Sequence, residues 1–267
     1  MKTFKKKNPL ISIIIATNNS ENTIANTLAS IKKQIFKNYE IIVIDKKSTD
    51  NTIRIVRKKK LKIRIYIGRD AGLYDAINKG ILKSKGKIIS ILHSDDFYHD
   101  KHTLLNVSKT FYKHNVDIVY GDLLYVKKNN KNFIIRYWRS STFAKNLFIR
   151  GWSPPHPTFF CTKKTYVAGK LYKTNIGNSS DIELMYRYLE IIGFRSKYLK
   201  KILVVMRYGG MSNNSIRKII FQNLGILKFL KIDKNLFAIL NFFAHKLINR
   251  FMQFLYARKY NGRKYSR

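Results

Sequence analysis

Four short apolar runs in the first hundred residues have the length and composition of β-strands. Three are continuous, as in strands buried on both faces, and the fourth alternates, as in a half-exposed strand. Each is followed by a polar stretch long enough for a helix or a turn. The continuous runs are Leu10–Ala16, Glu40–Ile44 and Lys87–Leu92, and the alternating run is Leu61–Ile67.

Apolar residues at helical spacing separate these strands. Ser20 is a candidate N-cap for the first predicted helix, and Leu73–Leu82 forms another. Strands that alternate with helices predict a mostly parallel sheet with crossover helices on its faces. The apolar face of the first helix consists of Ile24, Leu28, Ile31 and Ile35.

The segment from Ile216 to Arg267 has a different pattern, with apolar residues at helical intervals and Lys and Arg between them. Two interpretations are open: basic amphipathic helices on an anionic membrane surface, or a helix pair packed on the main domain with its cations in water. We therefore predict a main domain at residues 1–212 and a small basic helical extension at residues 213–267. No uncharged apolar run approaches the roughly 20 residues needed to cross a bilayer.

The chain is strongly basic, with 53 Lys and Arg against 15 Asp and Glu among 267 residues, a formal net charge of +38. Nucleic acid, anionic lipid and a phosphorylated substrate would each attract such a chain, and charge alone does not choose among them. The single Cys161 forms no internal disulfide and fits a reducing compartment, so we expect a cytoplasmic protein.

The scarce carboxylates are concentrated where two predicted strands end. Asp45 follows the run Glu40–Ile44, and Asp95 and Asp96 follow the run Lys87–Leu92. Ligands bind at the carboxyl edge of open α/β sheets, so these side chains are expected to share one crevice. Carboxylate oxygens hold Mg²⁺ or Mn²⁺ and leave other positions to phosphate and water. From spacing alone, Ser94–Asp96 serves equally well as a cap of the next helix.

Several short motifs follow one another between Pro9 and Ser212. In order and spacing they resemble glycosyltransferase family 2, the inverting sugar-nucleotide enzymes, and especially its bacterial polysaccharide-assembly members. The resemblance implies an α/β GT-A fold, a Rossmann-like, mostly parallel sheet flanked by helices. The motifs are Ala16-Thr17 with Asn19, Ser30-Ile31 with Gln34, Ile42–Asp45 followed by Ser48–Asp50 and Thr52, Asp70–Gly80, Ser94–Asp96, Tyr120–Asp122, His156–Phe160, Ser180–Leu184 and Gly209–Ser212.

The resemblance also implies roles for individual residues on the donor side. Some would line the pocket for the nucleotide base, others would contact the donor, and one would bind the divalent ion that bridges the diphosphate, Mg²⁺ or Mn²⁺. The base pocket would include Thr17, Asn19 and Asp45, the donor contacts Asp70, Lys79 and Asp95, and the metal site Asp96.

Asp181 matches the catalytic base of the family. An inverting enzyme needs a carboxylate that accepts the proton of the acceptor hydroxyl, opposite the leaving group. The alternative role for Asp181 is a solvated N-cap of a helix through Ile182–Ile192, and Glu183 ranks second as the base. His156 lies in a proline-rich segment and is either a contact to acceptor or metal, or part of a stiff elbow with a solvated imidazole.

Three features of the sequence depart from the usual family pattern. Lys46-Lys47 follows Asp45 where an acidic or small pair is usual, Asn18 stands where Tyr is frequent, and His93 replaces an Asp or Asn. These departures bear on the nucleotide preference, the packing over the base and the number of carboxylates at the ion.

We therefore expect a glycosyltransferase that moves a sugar from a nucleotide-diphosphate sugar to a glycan or lipid-linked acceptor by inverting single displacement. Its partners would be donor, acceptor and an anionic membrane surface, at the inner face of the cell membrane, with no specific nucleic acid. The alternatives are a basic nucleic-acid-binding protein, for which the sequence shows no zinc spacing or ribonucleoprotein signature, and a non-catalytic relative.

Overall fold

The fold is known from a computed structural model, which describes residues 9–128, 130–209 and 216–265. A nine-stranded sheet forms the centre of the described chain. The strands are β1 (Ile11–Thr17), β2 (Tyr39–Asp45), β3 (Ile63–Ile67), β4 (Ile88–Ile91), β5 (Phe97–Tyr98), β6 (Ile118–Lys127), β7 (Asn130–Trp138), β8 (Phe160–Thr162) and β9 (Ser196–Arg207). The helices are α1 (Ile24–Lys32), α2 (Thr52–Lys58), α3 (Leu73–Lys83), α4 (Thr103–His114), α5 (Lys163–Gly169), α6 (Ser180–Tyr186), α7 (Ile216–Phe229) and α8 (Leu236–Tyr265), and a π-helical turn, Arg187–Ile191, continues α6.

The strand order is β3-β2-β1-β4-β8-β6-β9-β5, with β7 paired to β6. The pairs β1–β2, β1–β4 and β2–β3 are all parallel, as the alternation of strands and helices predicts. Beyond β4 the sheet is mixed, because β8 pairs antiparallel with both β4 and β6. The four predicted strands and the helix predicted at Leu73–Leu82 are confirmed to within two residues at each end.

The two faces of β1 belong to two different apolar clusters. Ile14 packs in the cluster that contains Ile77 of α3, and Ile13 packs in the cluster that contains Leu28 of α1. This alternation follows from the two-residue period of a strand. The contact with α3 is close, because a Cβ on Gly80 would lie 2.4 Å from a methyl carbon of Ile14. Gly80 therefore lets α3 approach the sheet.

Two details of the predicted first helix are wrong. The helix begins at Ile24, not after Ser20, and the Ser20 hydroxyl lies 2.8 Å from the hydroxyl of Ser94. Ile35 lies beyond the helix end and is exposed. The first helix is shorter than its apolar pattern suggests, because Ser20 is used to join the loops after β1 and β4.

Helices α7 and α8 pack on the same core as α3. Ile226, Leu230 and Phe242 belong to the cluster that contains Ile14, while Ala257 near the end of α8 packs with Ile134 of β7. The predicted domain boundary after Ser212 falls in residues 210–215, outside the described residues, and stays a prediction. Within the described ranges, no helix combines the length and the apolar character that a membrane crossing requires.

Candidate active site

The ends of β1 and β2 bring three predicted base-pocket residues together. Thr17 and Asp45 are register partners, and the buried Asp45 carboxylate accepts hydrogen bonds from Ser48 N–H at 2.8 Å and Ser48 Oγ at 2.5 Å. Asn19, in the left-handed region with φ of 47°, donates its N–H to Ser48 Oγ at 2.9 Å and accepts from Thr49 N–H. The Thr17 hydroxyl is buried and has no hydrogen-bond partner among the described residues. These bonds fix a polar turn at the carboxyl edge of the sheet.

Asp70 forms an ion pair with Lys46, one of the residues that depart from the family pattern. Lys46 Nζ lies 3.3 Å from Asp70 Oδ1, and the same oxygen accepts from Gly72 N–H at 2.9 Å. Lys79 is engaged elsewhere, since its ammonium lies 2.8 Å from Asp75 and donates to the carbonyl of Arg69. This edge of the sheet therefore carries Lys46 as a cation next to Asp70, while Lys79 binds Asp75 and the carbonyl of Arg69 before α3.

Ser94–Asp96 forms a loop after β4 that is held from two sides. The Thr27 hydroxyl of α1 lies within hydrogen-bonding distance of the carbonyls of Ser94 and Asp96, at 2.9 and 2.7 Å. Arg207, the last residue of β9, donates Nη1–H to the carbonyl of Asp95. The capping interpretation of this segment is wrong, because the next helix, α4, begins only at Thr103.

The Asp96 side chain has the properties of a cation ligand. Both carboxylate oxygens are buried and have no hydrogen-bond partner among the described residues. Burial, followed by the nearby charge of Asp95, holds the pKa of Asp96 well above its usual range, and Arg207 opposes this effect. Unpartnered carboxylate oxygens fit Mg²⁺ or Mn²⁺, which take oxygen ligands. The described residues contain no group of three or more His, Cys, Asp or Glu side chains suited to a metal, so other ligands would come from substrate and water.

His93, His156 and Asp181 form a cluster beside this loop. His156 Nδ1 lies 3.1 Å from Asp181 Oδ2, with 30% of the His156 side chain and 13% of the Asp181 side chain exposed. The rings of His93 and His156 meet edge to face, with centroids 5.6 Å apart. Burial lowers the pKa of both imidazoles to about 4, so both are neutral at pH 7. A neutral His156 can donate Nδ1–H to an ionised Asp181.

Asp181 titrates near neutrality because of its environment. Burial raises its pKa to about 6, against the lowering effects of the Ile182 N–H bond, His93 and Lys246. Lys246 comes from α8, and burial, with the nearby charge of Arg250, lowers its pKa to about 8. A carboxylate with this pKa is ionised at pH 7 and still basic enough to take a proton, as a general base requires.

The solvated N-cap interpretation of Asp181 is wrong. Helix α6 begins at Ser180, and Asp181 lies inside its first turn with a mostly buried side chain. Glu183 faces different partners: it accepts from Arg187 at 3.0 Å and lies 2.8 Å from Lys173. Arg187 also donates to the carbonyls of Lys170 and Leu171. Glu183 therefore belongs to an ion-pair network that holds the chain after α5.

Three residues of this region were not predicted from the sequence. Arg207 holds the Asp95 backbone, Lys246 lowers the pKa of Asp181, and Tyr74 contacts Asp181 while its ring stacks on Tyr172 at 5.4 Å. Arg207 had a weak signal, since it stands just before the motif Gly209–Ser212. Lys246 had none, because a lysine in an apolar helix is usually a solvated one.

Comparisons with known proteins relate this chain to glycosyltransferases. The profile described as "Glycosyl transferase family 2" matches residues 12–203. A "PGL/p-HBAD biosynthesis glycosyltransferase" of Mycobacterium bovis (strain BCG / Pasteur 1173P2) is 28% identical over 226 residues, 79% of this chain and 82% of the relative. An "Uncharacterized glycosyltransferase" of Rickettsia felis is 33% identical over 141 residues, 52% of this chain and 23% of that protein.

Solved structures of glycosyltransferases share the fold. S. aureus TarS 1-349 in complex with UDP-GlcNAc matches with a TM-score of 0.60 at 22% identity, over 82% of this chain and 66% of that one, just under two thirds. The mannosyltransferase PcManGT from Pyrobaculum calidifontis, in complex with GDP-Man and Mn2+, matches with a TM-score of 0.60 at 18% identity, over 90% and 74%. The expected GT-A fold is confirmed. With the family profile matching most of its length, the chain belongs to glycosyl transferase family 2.

Proposed function

We propose that this protein transfers a sugar from a nucleoside-diphosphate sugar to a hydroxyl group of a glycan or lipid-linked acceptor, with inversion at the anomeric carbon. The observation that carries the proposal is the environment of Asp181, a mostly buried carboxylate with a pKa of about 6 and a neutral imidazole 3.1 Å away. Its family and its glycosyltransferase relatives support the general activity.

The donor would bind along the carboxyl edge of β1, β2 and β4. Thr17, Asn19 and Asp45 are the candidates for the base pocket, and the unpartnered Thr17 hydroxyl supports this assignment. Asp70, Lys79 and Asp95 are candidate contacts to the rest of the donor. Lys46 lies beside Asp70 and reduces the negative charge near the pocket proposed for the nucleotide base. TarS and PcManGT are complexed with UDP-GlcNAc and GDP-Man, so uracil and guanine are the candidate nucleotide bases.

Asp96 is the residue we assign to a divalent ion, Mg²⁺ or Mn²⁺. When bound, such an ion supplies Lewis-acid stabilisation of the departing diphosphate. The assignment is supported by the two unpartnered oxygens of Asp96 and by the Mn2+ complex of PcManGT. Thr27 and Arg207 hold the backbone on both sides of this carboxylate, which keeps the loop in place as the charge at the site changes.

Asp181 would act as the general base. The acceptor hydroxyl gives its proton to a carboxylate oxygen of Asp181 while its own oxygen forms the new bond to the anomeric carbon. The bond from that carbon to the diphosphate oxygen breaks, and the nucleoside diphosphate leaves with the electron pair. His156 donates Nδ1–H to the ionised base and fixes its orientation, which makes it a positioning residue in this proposal.

We also propose a cytoplasmic protein that works at the inner face of the membrane. The buried free Cys161 fits a reducing compartment, and the net charge of +38 favours anionic surfaces. The partner we propose for this charge is an anionic lipid surface and not a specific nucleic acid.

The test is a donor screen with the purified chain. UDP- and GDP-sugars are offered with Mn²⁺, Mg²⁺ or EDTA, release of nucleoside diphosphate is measured, and the anomeric configuration of the product is read by NMR. We expect one nucleotide class to be used, metal-dependent turnover, and a β-linked product from an α-linked donor. Retention of configuration would contradict attack by a base-activated hydroxyl. Equal binding of every polyanion, lost in salt, would support a nucleic-acid-type binder instead.

A further inference from the structure

Helix α8 has two apolar faces, and one of them has no protein partner in the described chain. Phe242, Gln253 and Ala257 are buried against the domain. On the opposite side, eight large apolar residues follow one another at helical spacing and are exposed to solvent. They are Leu236, Phe237, Leu240, Leu247, Ile248, Phe251, Phe254 and Leu255, which we call the outer face of α8.

The exposure of this face is too large for isolated surface residues. Phe237 is 81% exposed, Leu247 70% and Phe251 62%. Leu236 and Leu255 are nineteen residues apart, so the stripe extends roughly 30 Å along the helix. Contiguous exposed apolar patches of this kind mark an interaction surface rather than ordinary surface composition.

Helix α7 extends the same kind of surface. Ile220, Phe221 and Leu224 are exposed, while Ile226 and Leu227 pack into the core. Both C-terminal helices therefore anchor one side in the protein and present large apolar side chains on another. The buried residues of α7 and α8 hold both helices on the domain, so neither helix needs a partner on its exposed face to stay in place.

The charge around this surface indicates which partner covers it. Residues 213–267 contain 12 Lys and Arg and one acidic residue, Asp233. Lys228 of α7, Lys231 between the two helices, and Arg250 and Lys259 of α8 are exposed. A second copy of the chain would bring the same excess of positive charge against its own, which opposes association. An anionic lipid surface supplies both the opposite charge and an apolar interior.

We infer that the outer face of α8, extended by the exposed apolar residues of α7, inserts into the interfacial layer of an anionic phospholipid bilayer, with the surrounding Lys and Arg at the headgroups. This inference concerns a surface outside the site and does not depend on the proposed reaction. The lipid is identified by chemistry alone, as any bilayer with a substantial fraction of anionic headgroups.

The experiment measures cosedimentation of the full chain with vesicles of phosphatidylcholine alone, or of phosphatidylcholine mixed with roughly one third of the anionic lipid phosphatidylglycerol, which attracts basic segments. The test variant is F237S/L240S/L247S/F251S, whose positions are exposed, so its thermal unfolding should match that of the wild type. The matched control is L82S/V167S, which removes apolar side chains that are 67% and 76% exposed elsewhere.

We expect the wild type and the control to bind the anionic vesicles equally well. The quadruple variant F237S/L240S/L247S/F251S should bind them at least tenfold more weakly. Binding by the quadruple variant equal to that of the wild type would overturn the inference, because charge alone would then explain the association. A lipid-free dimer of the wild type that dissociates in the quadruple variant, seen by analytical ultracentrifugation, would also overturn it in favour of a second copy.

Discussion

The Nδ1 atom of His156 lies 3.1 Å from Oδ2 of Asp181, although the two residues come from different elements and are 25 positions apart in the sequence. The imidazole is neutral at pH 7, since burial lowers its pKa to about 4, and can give its one N–H to the carboxylate. His156 therefore belongs to the environment of Asp181, the proposed base. The alternative expectation, a stiff elbow with a solvated imidazole, is wrong.

Replacing His156 tests this relationship. We expect His156→Ala to lower kcat by roughly fivefold, the equivalent of one net hydrogen bond of about 1 kcal/mol, with the donor KM unchanged. His156→Asn keeps an N–H donor at a similar position and should recover part of the loss. Steady-state kinetics of both variants decide the matter. Equal losses in kcat and donor affinity, with no recovery by Asn, would show a structural role only.

Asp181→Asn should remove the proton acceptor and leave the fold intact. We expect transfer to fall by about 10²-fold or more, with nucleotide binding by calorimetry little changed. The control is Glu183→Gln, because Glu183 is buried with Arg187 and Lys173 as partners. That variant should lose about 1–3 kcal/mol of unfolding free energy while keeping substantial turnover. A dead Glu183 variant beside an active Asp181 variant would move the base to Glu183.

Lys246→Met should change the pH dependence of the reaction. Asp181 must be ionised to act, so kcat/KM should fall as the pH drops through about 6, the pKa that burial gives it. The Lys246 charge lowers this pKa. Without the charge the pKa rises, so the acidic limb moves to higher pH and the loss at pH 6 exceeds that at pH 8 by about two- to threefold.

Two variants serve as controls for the Lys246 experiment. Lys246→Arg keeps the charge and should leave the acidic limb in place, and Lys259→Met removes an exposed charge from the same helix. If Lys259→Met moves the limb as far as Lys246→Met does, general charge is responsible and Lys246 has no special position near the base.

Asp96→Asn should abolish the gain in nucleotide affinity that Mn²⁺ provides. The variant should be at least as stable as the wild type without metal, because a neutral amide avoids the cost of a buried charge without partners. Calorimetric titration of the nucleotide with Mn²⁺ and with EDTA measures the effect, and Asp100→Asn, at an exposed position, is the control. An unchanged Mn²⁺ dependence would remove Asp96 from the metal site.

The sequence predicted most of the first hundred residues of the fold, because continuous apolar runs and helical spacing are local signals. It placed Asp45 and Asp96 at one edge of the sheet, because parallel strands end at the same side. The predictions from sequence were wrong for side chains whose contacts are made with residues far away in the chain. Ser20 has the composition of a cap, yet its hydroxyl pairs with Ser94, 74 residues away.

The environment of the base shows the same limit. Asp181 could be identified from its motif, but its pKa depends on burial and on Lys246. Helix α8, which carries Lys246, packs closely across Gly151, where a Cβ would lie 2.9 Å from the carbonyl oxygen of Phe242. No local pattern records that approach, so the contribution of the last helix to the site was not predicted.

Helix α8 faces in two directions, with Lys246 toward the base and the outer face away from the domain. An α-helix with its side chains is about 10–12 Å across. With its outer face in the headgroup layer, α8 would hold Asp181 within roughly one or two such diameters of the lipid. Such docking would fix the distance between the proposed base and the lipid. Hydroxyl groups on the sugars nearest the lipid would then come within reach of Asp181, whereas those at the far end of a long chain would not.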